Sequence, residues 1–494
     1  MDEGKRLSQL GLGSGDGEAG PPLAGLTADS RAVRPGYLFA AFAGSRDHGA
    51  SHAAAAVASG ARAILTDRAG ARMIAAAGGL PGEVALRVVD DPREAFARAA
   101  ALWFGAQPPV MAAVTGTNGK TSVASFTRQI WQALGHRAIN IGTTGIEGDW
   151  AAPSSHTTPD PVALHRALAA AAGAGITHAV MEASSHGLDQ RRLDGVRLTA
   201  AGFTNLTQDH LDYHATMAAY LEAKAGLFTR VLPGDGTAVV NLDGAGGDEV
   251  ARRCRGRDLA LITLGCAEGA DLRIAASRPD ATGQELRLIW RGRPWQGRLG
   301  LIGAFQAGNV ALAAGLAIAC GEDAQAVLEV LPRLAGVRGR MQPVARRRNG
   351  AAVYVDYAHT PDAVAVALAA LRPHVLGRLV VVLGAGGDRD RAKRPLMGEA
   401  ARKHADEVYV TDDNPRGEEP AAIRAAILAA CPGATEVGDR AEAILRAVDA
   451  LGPGDALLIA GKGHETGQII GQDVFPFDDA EQASIAVAAL DGVV

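Results

Sequence analysis

Short apolar runs bounded by glycine, proline or asparagine recur along most of this chain, and their spacing predicts strands alternating with helices. Between residues 20 and 90, "YLFAAFAG", "ARAILT" and "VALRVVD" read as strands around one alanine-rich helical stretch. "DDPREAFARAAALWFG" then enters a helix, with Asp91 as N-cap and Pro92 in the first helical position. From Val110 the pattern becomes strand, glycine loop, helix. "VMAAV" is a buried strand and "GTNGKT" turns the chain. "SVASFTRQIWQALG" places Val123, Phe126, Ile130 and Leu134 at helical spacing, closed by Gly135. Further strands are predicted at "HAVMEA", "LTAAGFTNL" and "TAVVNL". After "LAGVRGRMQPV" a second series follows: "AAVYVDYA", "RLVVVLGAGG", "EVYVTDD" and "DALLIAGKG", with Thr360 and Pro361 opening a helix between the first two. The breaks in pattern divide the chain into residues 1–90, 91–336 and 337–494.

Composition narrows the class. The chain has 494 residues, 48% hydrophobic and 21% charged, the profile of a globular protein with several cores. A net charge of −5 recommends neither nucleic acid nor an anionic membrane as partner. Four cysteines without a C-x-x-C pair fit a reduced, cytoplasmic setting. The opening segment is polar and glycine-rich, unlike a signal peptide, and no apolar run reaches the ~18 residues of a membrane span. The longest, "NVALAAGLAIACG", reads as a buried helix. A monomer is expected.

The chemistry concentrates at "VTGTNGKTS", residues 114–122. A helix that starts just after a glycine turn aims unpaired N–H groups and its positive end at an anion. Gly116 and Gly119 let the backbone curl around it, with Thr117 and Asn118 between them. Lys120 neutralises phosphate, and the Thr121 hydroxyl can ligate Mg²⁺. A surface Gly-Lys-Thr turn is the plain alternative; the strand before and amphipathic helix after favour a nucleotide. Glu182 closes a predicted strand and His210 follows another, where α/β folds gather their sites. The fold class expected is α/β in three domains: a small N-terminal α/β domain, a central P-loop-type domain with a mostly parallel sheet, and a Rossmann-like C-terminal α/β domain.

In order and spacing, "TGTNGKTS", "MEASSHGLDQ", "NLTQDHLDYH", "YLEAKAGLF", "GAFQAGNV", "GRMQPV", "DYAHTPD", "GGDRDRAKRP", "TDDNPR" and "AGKGHE" resemble the Mur ligases, most closely the MurE type, from about Ala24 onward. That family carries the shortened loop G-x-x-G-K-T found here. The resemblance implies that ATP phosphorylates the D-glutamate γ-carboxylate of UDP-MurNAc-L-Ala-D-Glu, after which a diamino acid attacks the acyl phosphate. It implies a catalytic set of Lys120, Glu182, His210, Lys224 and Arg340. Mg²⁺ would be held by Thr121, Glu182, His210 and Lys224, the lysine as a CO₂-derived carbamate rather than an exposed helix lysine. Asn309 and Asp356 match nucleotide-side contacts. Ser30 in "LTADSRAVRPG", Thr157 and Thr158 in "HTTPDP", and Ser184, Gln190 and Arg192 match contacts to the UDP-sugar peptide; His156 stands where relatives often carry Asn.

The D-N-P-R form at Asp413, Asn414, Pro415 and Arg416 goes with meso-diaminopimelate in that family. A guanidinium can clamp the second carboxylate that L-lysine lacks. Arg389, Gly461 and Glu465 resemble further contacts, Glu465 to the distal ammonium. Three alternatives stand beside this reading: a lysine-adding ligase, a folylpolyglutamate synthetase, and a regulator that has lost catalysis. The second should lack the opening domain and D-N-P-R; the third should show damage at Lys120, Glu182, His210 or Lys224, and all four are intact.

Overall fold

In the computed structural model, which describes residues 4–13, 19–44, 47–154, 156–209 and 211–492, the strands gather in chain order into sheets of four, ten and six strands, with a small hairpin near the end. The first sheet is parallel throughout: Gly25–Thr27, Tyr37–Ala41, Ala63–Thr66 and Ala85–Val88. Two helices accompany it, Ala53–Ala58 and Arg68–Ala76, where one was expected. Gly70 disguises the second, because glycine weakens a helical pattern. It is needed there: a Cβ at residue 70 would stand 2.0 Å from Thr66 Oγ1. The next helix, Pro92–Phe104, starts as predicted, with the Asp91 carboxylate accepting from the Glu94 N–H. Its Phe96, Ala99 and Ala100 join Leu7, Leu38 and Leu65 in the first core.

The second sheet runs in the order Arg293–Leu299, Gly283–Trp290, Leu272–Asp280, Ala260–Gly265, Thr237–Asn241, Ala200–Phe203, Val110–Thr115, His178–Glu182, Ala138–Gly142, Gly145–Gly148. Its central strands are parallel and its margins antiparallel. Along Val110–Thr115 the side chains alternate between two cores, Met111 and Ala113 on one face, Ala112 and Val114 on the other, as a strand covered on both sides must. Phe126, Ile130 and Trp131 of the helix Lys120–Ala133 fill the second of these beside Val310 and Leu316. The apolar run after Asn309 lies within the buried helix Gln306–Ala319. No helix among the described residues is long and apolar enough to cross a membrane.

The third sheet places Gln342–Arg346 antiparallel at one edge, then Ala352–Asp356, Ala456–Ala460, Leu379–Leu383, Glu407–Val410 and Thr435–Glu436 in parallel. The chain passes from Ala352–Asp356 to Leu379–Leu383 and later returns to set Ala456–Ala460 between them, and the loops that follow these strands border the crevice at their carboxyl ends. Ile302 inserts into this third core, and the Gly303 N–H donates to His374 Nε2 at 3.0 Å, tying the second unit to the third.

Candidate active site

Register sets the site. In the parallel pair Val114 lies opposite Glu182, and Thr115 lies opposite Phe203, so the loop at 116–119 emerges beside Glu182 and Thr204. Gly116 (φ +144°) and Gly119 (φ +87°) hold conformations L side chains avoid. Cβ atoms there would fall 1.8 Å from Thr204 Oγ1 and 2.5 Å from Asn309 Oδ1. Asn309, expected at the nucleotide, is thus packed onto the loop. Lys120 opens the helix, and its ammonium donates to the carbonyls of Gly116 (2.9 Å) and Thr117 (2.7 Å). Asn118 is fixed by its own N–H to Asn205 Oδ1 and by its side chain to Thr207. Burial draws the Lys120 ammonium below its ordinary range, against the opposing pull of Glu182 and Asp209.

Glu182 is buried. Its Oε2 accepts from Thr121 Oγ1 at 3.2 Å and its Oε1 from the Thr143 N–H at 2.9 Å. Thr143 Oγ1 also meets Glu182 Oε2 at 3.3 Å and Thr157 Oγ1 at 2.9 Å. Thr158 Oγ1 lies 2.9 Å from the Glu182 carbonyl and 3.0 Å from Ser184 Oγ, the cap of the following short helix. Arg192 Nη1 donates to the Thr158 carbonyl at 2.7 Å, and its Nη2 donates to Gln190 Oε1 at 2.9 Å. A hydrogen-bonded chain therefore runs from Thr121 through Glu182 and Thr158 to Arg192. Arg192 and Gln190 line a cavity of about 840 Å³ that is completed by Ser30, Arg34, Arg93 and Arg166. Such a basic chamber suits a polyanion.

From the third unit, Arg340 Nη2 reaches Thr121 Oγ1 at 3.2 Å, and its guanidinium lies 4.7 Å from the Tyr357 ring centroid. Its buried Nε has no hydrogen-bond partner among the described residues. Asp356 Oδ2 accepts from the Met341 N–H at 2.6 Å and so holds the turn that carries Arg340. Lys224 is 1% exposed, with Nζ donating to the Gly116 carbonyl at 2.6 Å and lying 4.4 Å from the Tyr220 ring centroid. Burial, then Lys120, push its ammonium well below the ordinary lysine value. It is no exposed helix lysine. His210 lies outside the described residues.

At the crevice of the third sheet, Asn414 Nδ2 donates to Glu465 Oε2 (3.0 Å), and Asn414 Oδ1 accepts from Lys462 Nζ (2.8 Å) and the Ile469 N–H (2.9 Å). Burial raises the Glu465 carboxyl above its usual range. Arg416 sits at φ +51° and donates through Nη1 to the Gly387 carbonyl at 2.9 Å. Cβ atoms at Gly387 and Gly461 would meet the Pro415 carbonyl oxygen at 1.9 Å and Asp413 Oδ2 at 2.5 Å. Asp413, Asn414, Pro415, Arg416, Gly461 and Glu465 are therefore assembled together. Arg389 is exposed on the loop beside them.

Sequence patterns of the Mur ligase family match in succession: its catalytic domain over residues 22–103, its middle domain over 114–317 and its glutamate ligase domain over 339–463. The UDP-N-acetylmuramoyl-L-alanyl-D-glutamate–2,6-diaminopimelate ligase of Bradyrhizobium diazoefficiens is 51% identical over 471 residues, 94% of this chain and 95% of its own length. This chain belongs to the Mur ligase family. The same-named ligase of Caulobacter vibrioides is 50% identical over 482 residues, 96% of each chain. A solved ligase of that name superposes with a TM-score of 0.71 at 34% identity, covering 98% of this Mur ligase and 99% of the solved chain.

Three residues of this Mur ligase site escaped the sequence reading. Thr143 holds Glu182, and its signal was a Gly-Thr-Thr loop directly after a strand. Tyr357 supports Arg340 from within the quoted "DYAHTPD". Lys462, fully buried in "AGKGHE", braces Asn414 and the Gly467 carbonyl.

Proposed function

We propose that this Mur ligase is an ATP-dependent amide ligase of peptidoglycan precursor synthesis, acting as a monomer in the cytoplasm. It joins meso-2,6-diaminopimelate to the D-glutamate γ-carboxylate of UDP-MurNAc-L-Ala-D-Glu. Residues 1–90 take the nucleotide-sugar end, 91–336 the ATP and 337–494 the amino acid. The observation that carries the reading is the approach of Arg340 to Thr121 on the glycine loop, next to Lys120 in the chain and hydrogen-bonded to Glu182.

A carboxylate resists amines because attack on it would have to expel oxide. The γ-carboxylate oxygen attacks the γ-phosphorus and ADP departs; the amine then attacks the acyl carbon and phosphate departs, with the amine's proton passing to solvent. The first step brings two anions together and the second builds negative charge on the acyl oxygen and the departing phosphate, so the gain lies in placed cations and dipoles. Lys120 releases the Gly116 and Thr117 carbonyls to meet the phosphates, the loop N–H groups receive their oxygens, and Arg340 faces the transferred group. The Thr121 hydroxyl and Glu182 carboxylate, 3.2 Å apart, are hard oxygen donors of the kind Mg²⁺ takes. Mg²⁺ bound there with His210 would draw negative charge off the phosphoryl oxygens. Lys224 suits an anionic form: an ammonium in that buried place would oppose the cation, and addition of CO₂ to its amine, with loss of a proton, gives a carbamate.

Asp413, Asn414 and Arg416 hold the diamino acid, Arg416 clamping the distal carboxylate and Glu465 pairing with the distal ammonium. The named relatives and the D-N-P-R segment support diaminopimelate over lysine. The opening unit that lines the basic cavity counts against a folylpolyglutamate synthetase. With ATP and UDP-MurNAc-dipeptide present, phosphate release should require meso-diaminopimelate and be at least an order of magnitude slower with L-lysine; equal turnover would refute the arginine clamp.

A further inference from the structure

At the far end of the central sheet from the nucleotide loop, three side chains from separate elements converge. His178 opens the strand that ends in Glu182. His136 follows the helix that starts at Lys120, and Glu322 follows the helix that carries Asn309. Their ligand atoms all lie within 4.8 Å of one another. His136 Nε2 is 2.9 Å and His178 Nε2 is 3.7 Å from the same Glu322 Oε1. Around a tetrahedral cation with ligands at about 2.0–2.2 Å, neighbouring donors stand roughly 3.3–3.6 Å apart, and the two separations bracket that spacing. We propose that His136, His178 and Glu322 form a binding site for a divalent transition cation of the zinc class, distinct from the magnesium site at the nucleotide.

Second-layer contacts favour this over a simple ion pair. Thr177 Oγ1 touches both the Arg137 carbonyl (3.2 Å) and His178 Nδ1 (2.9 Å). One hydroxyl proton satisfies both only if it goes to Arg137 and Nδ1–H donates to Thr177. In the neutral ring His178 Nε2 is then a bare lone pair 3.7 Å from a carboxylate oxygen, with the His136 ring 4.1 Å away between centroids. A pair between His136 and Glu322 explains the shorter contact and leaves that lone pair facing negative charge. A cation shared by the three satisfies all of them, and a fixed Nδ1–H is how metal-bound imidazoles are oriented. The helices Lys120–Ala133 and Gln306–Ala319 also end here, and their carbonyl ends favour positive charge. His178 and Glu322 are nearly enclosed while His136 is about one-third exposed, which leaves an entry path. Two imidazoles and one carboxylate select zinc, cobalt or nickel over magnesium. Bound metal would staple one end of three elements whose opposite ends carry Lys120, Glu182 and Asn309.

The test uses the full chain with saturating Mg²⁺ and ADP, so that the nucleotide site is filled. Equilibrium dialysis against Zn²⁺ should show one equivalent more in the parent than in His136→Gln or Glu322→Gln. Co²⁺ should give the intense visible bands of a tetrahedral site in the parent alone. Zinc should raise the parent's Tm and leave that of either variant unmoved, while ADP formation without zinc stays at the parental rate in His136→Gln. Equal stoichiometry and equal cobalt spectra in parent and variants would overturn the proposal, leaving an imidazolium–carboxylate pair only.

Discussion

Gly142 has no side chain because the Glu182 carboxylate occupies its place: a Cβ would stand 2.0 Å from Oε1. Gly142→Ala should push that carboxylate away from Thr121, lowering ADP formation by about 10²–10³-fold, the scale of losing one well-placed polar group, with nucleotide-sugar binding retained. Steady-state phosphate release checks this, and a parental rate would contradict it. At Arg416, Lys cannot reproduce a bidentate clamp. Arg416→Lys should raise the KM for diaminopimelate roughly ten- to a hundredfold, about 1.5–3 kcal/mol of charge-assisted bonding, while ATP binding holds; unchanged KM would remove the assigned role. Residues of this kind were legible when their signal was local. Lys120 and Thr121 sit in one loop motif, and Glu182 closes one strand. Thr143 and Tyr357 were not, because each acts on a partner brought near only by folding, Glu182 at a separation of 39 residues and Arg340 from across a turn.

Elements were legible where period and punctuation agreed. Buried parallel strands such as "VMAAV" and "LVVVL" are short apolar runs with turn residues after them, and helix starts at Asp91 and Thr360 carried their caps in the sequence. The antiparallel extension Leu272–Leu299 was passed over, although buried Leu286 and Leu288 flank exposed Arg287 and Arg291–Gly292 make a two-residue turn at positive φ (+44° and +85°). Its charged outer face hid the pattern. One tertiary tie between elements was beyond any local reading. Arg440 and Asp479, both with wholly buried side chains, form a two-point pair at 2.7 Å that joins two helices, and Arg440 Nη2 also holds the Ala460 carbonyl just before Gly461. Arg440→Met should destabilise the fold by about 3–5 kcal/mol, since it leaves a buried carboxylate unpaired, and should weaken diaminopimelate binding more than ATP binding. Denaturant unfolding with parallel binding assays reads both; an unshifted midpoint would show that the pair carries no such burden.

For the molecule as a whole, buried imidazoles set the acid limit. His165 is held at about 4 by burial and then by Arg197, and His464 at about 4 by burial and then by Arg340. In the unfolded chain both take protons near 6.5. Between those values the unfolded state binds more protons, so stability is full above about pH 6.5 and falls as pH drops toward about 4. Tm should decline across that window, and His165→Gln should flatten the decline; a constant Tm would contradict the assignment. At this scale the three-unit order was legible because each unit repeats its own strand–helix rhythm. The meeting of Arg340 with Thr121 was not, since contact between units depends on surfaces that no single stretch encodes. That meeting is also where the central claim is exposed most directly. ADP formation by the purified chain, with ATP, Mg²⁺, UDP-MurNAc-L-Ala-D-Glu and meso-diaminopimelate, should depend on all the reactants and fall by several orders of magnitude in Lys120→Ala. A Lys120→Ala rate equal to the parent's, or a parent that makes no ADP, would contradict the account.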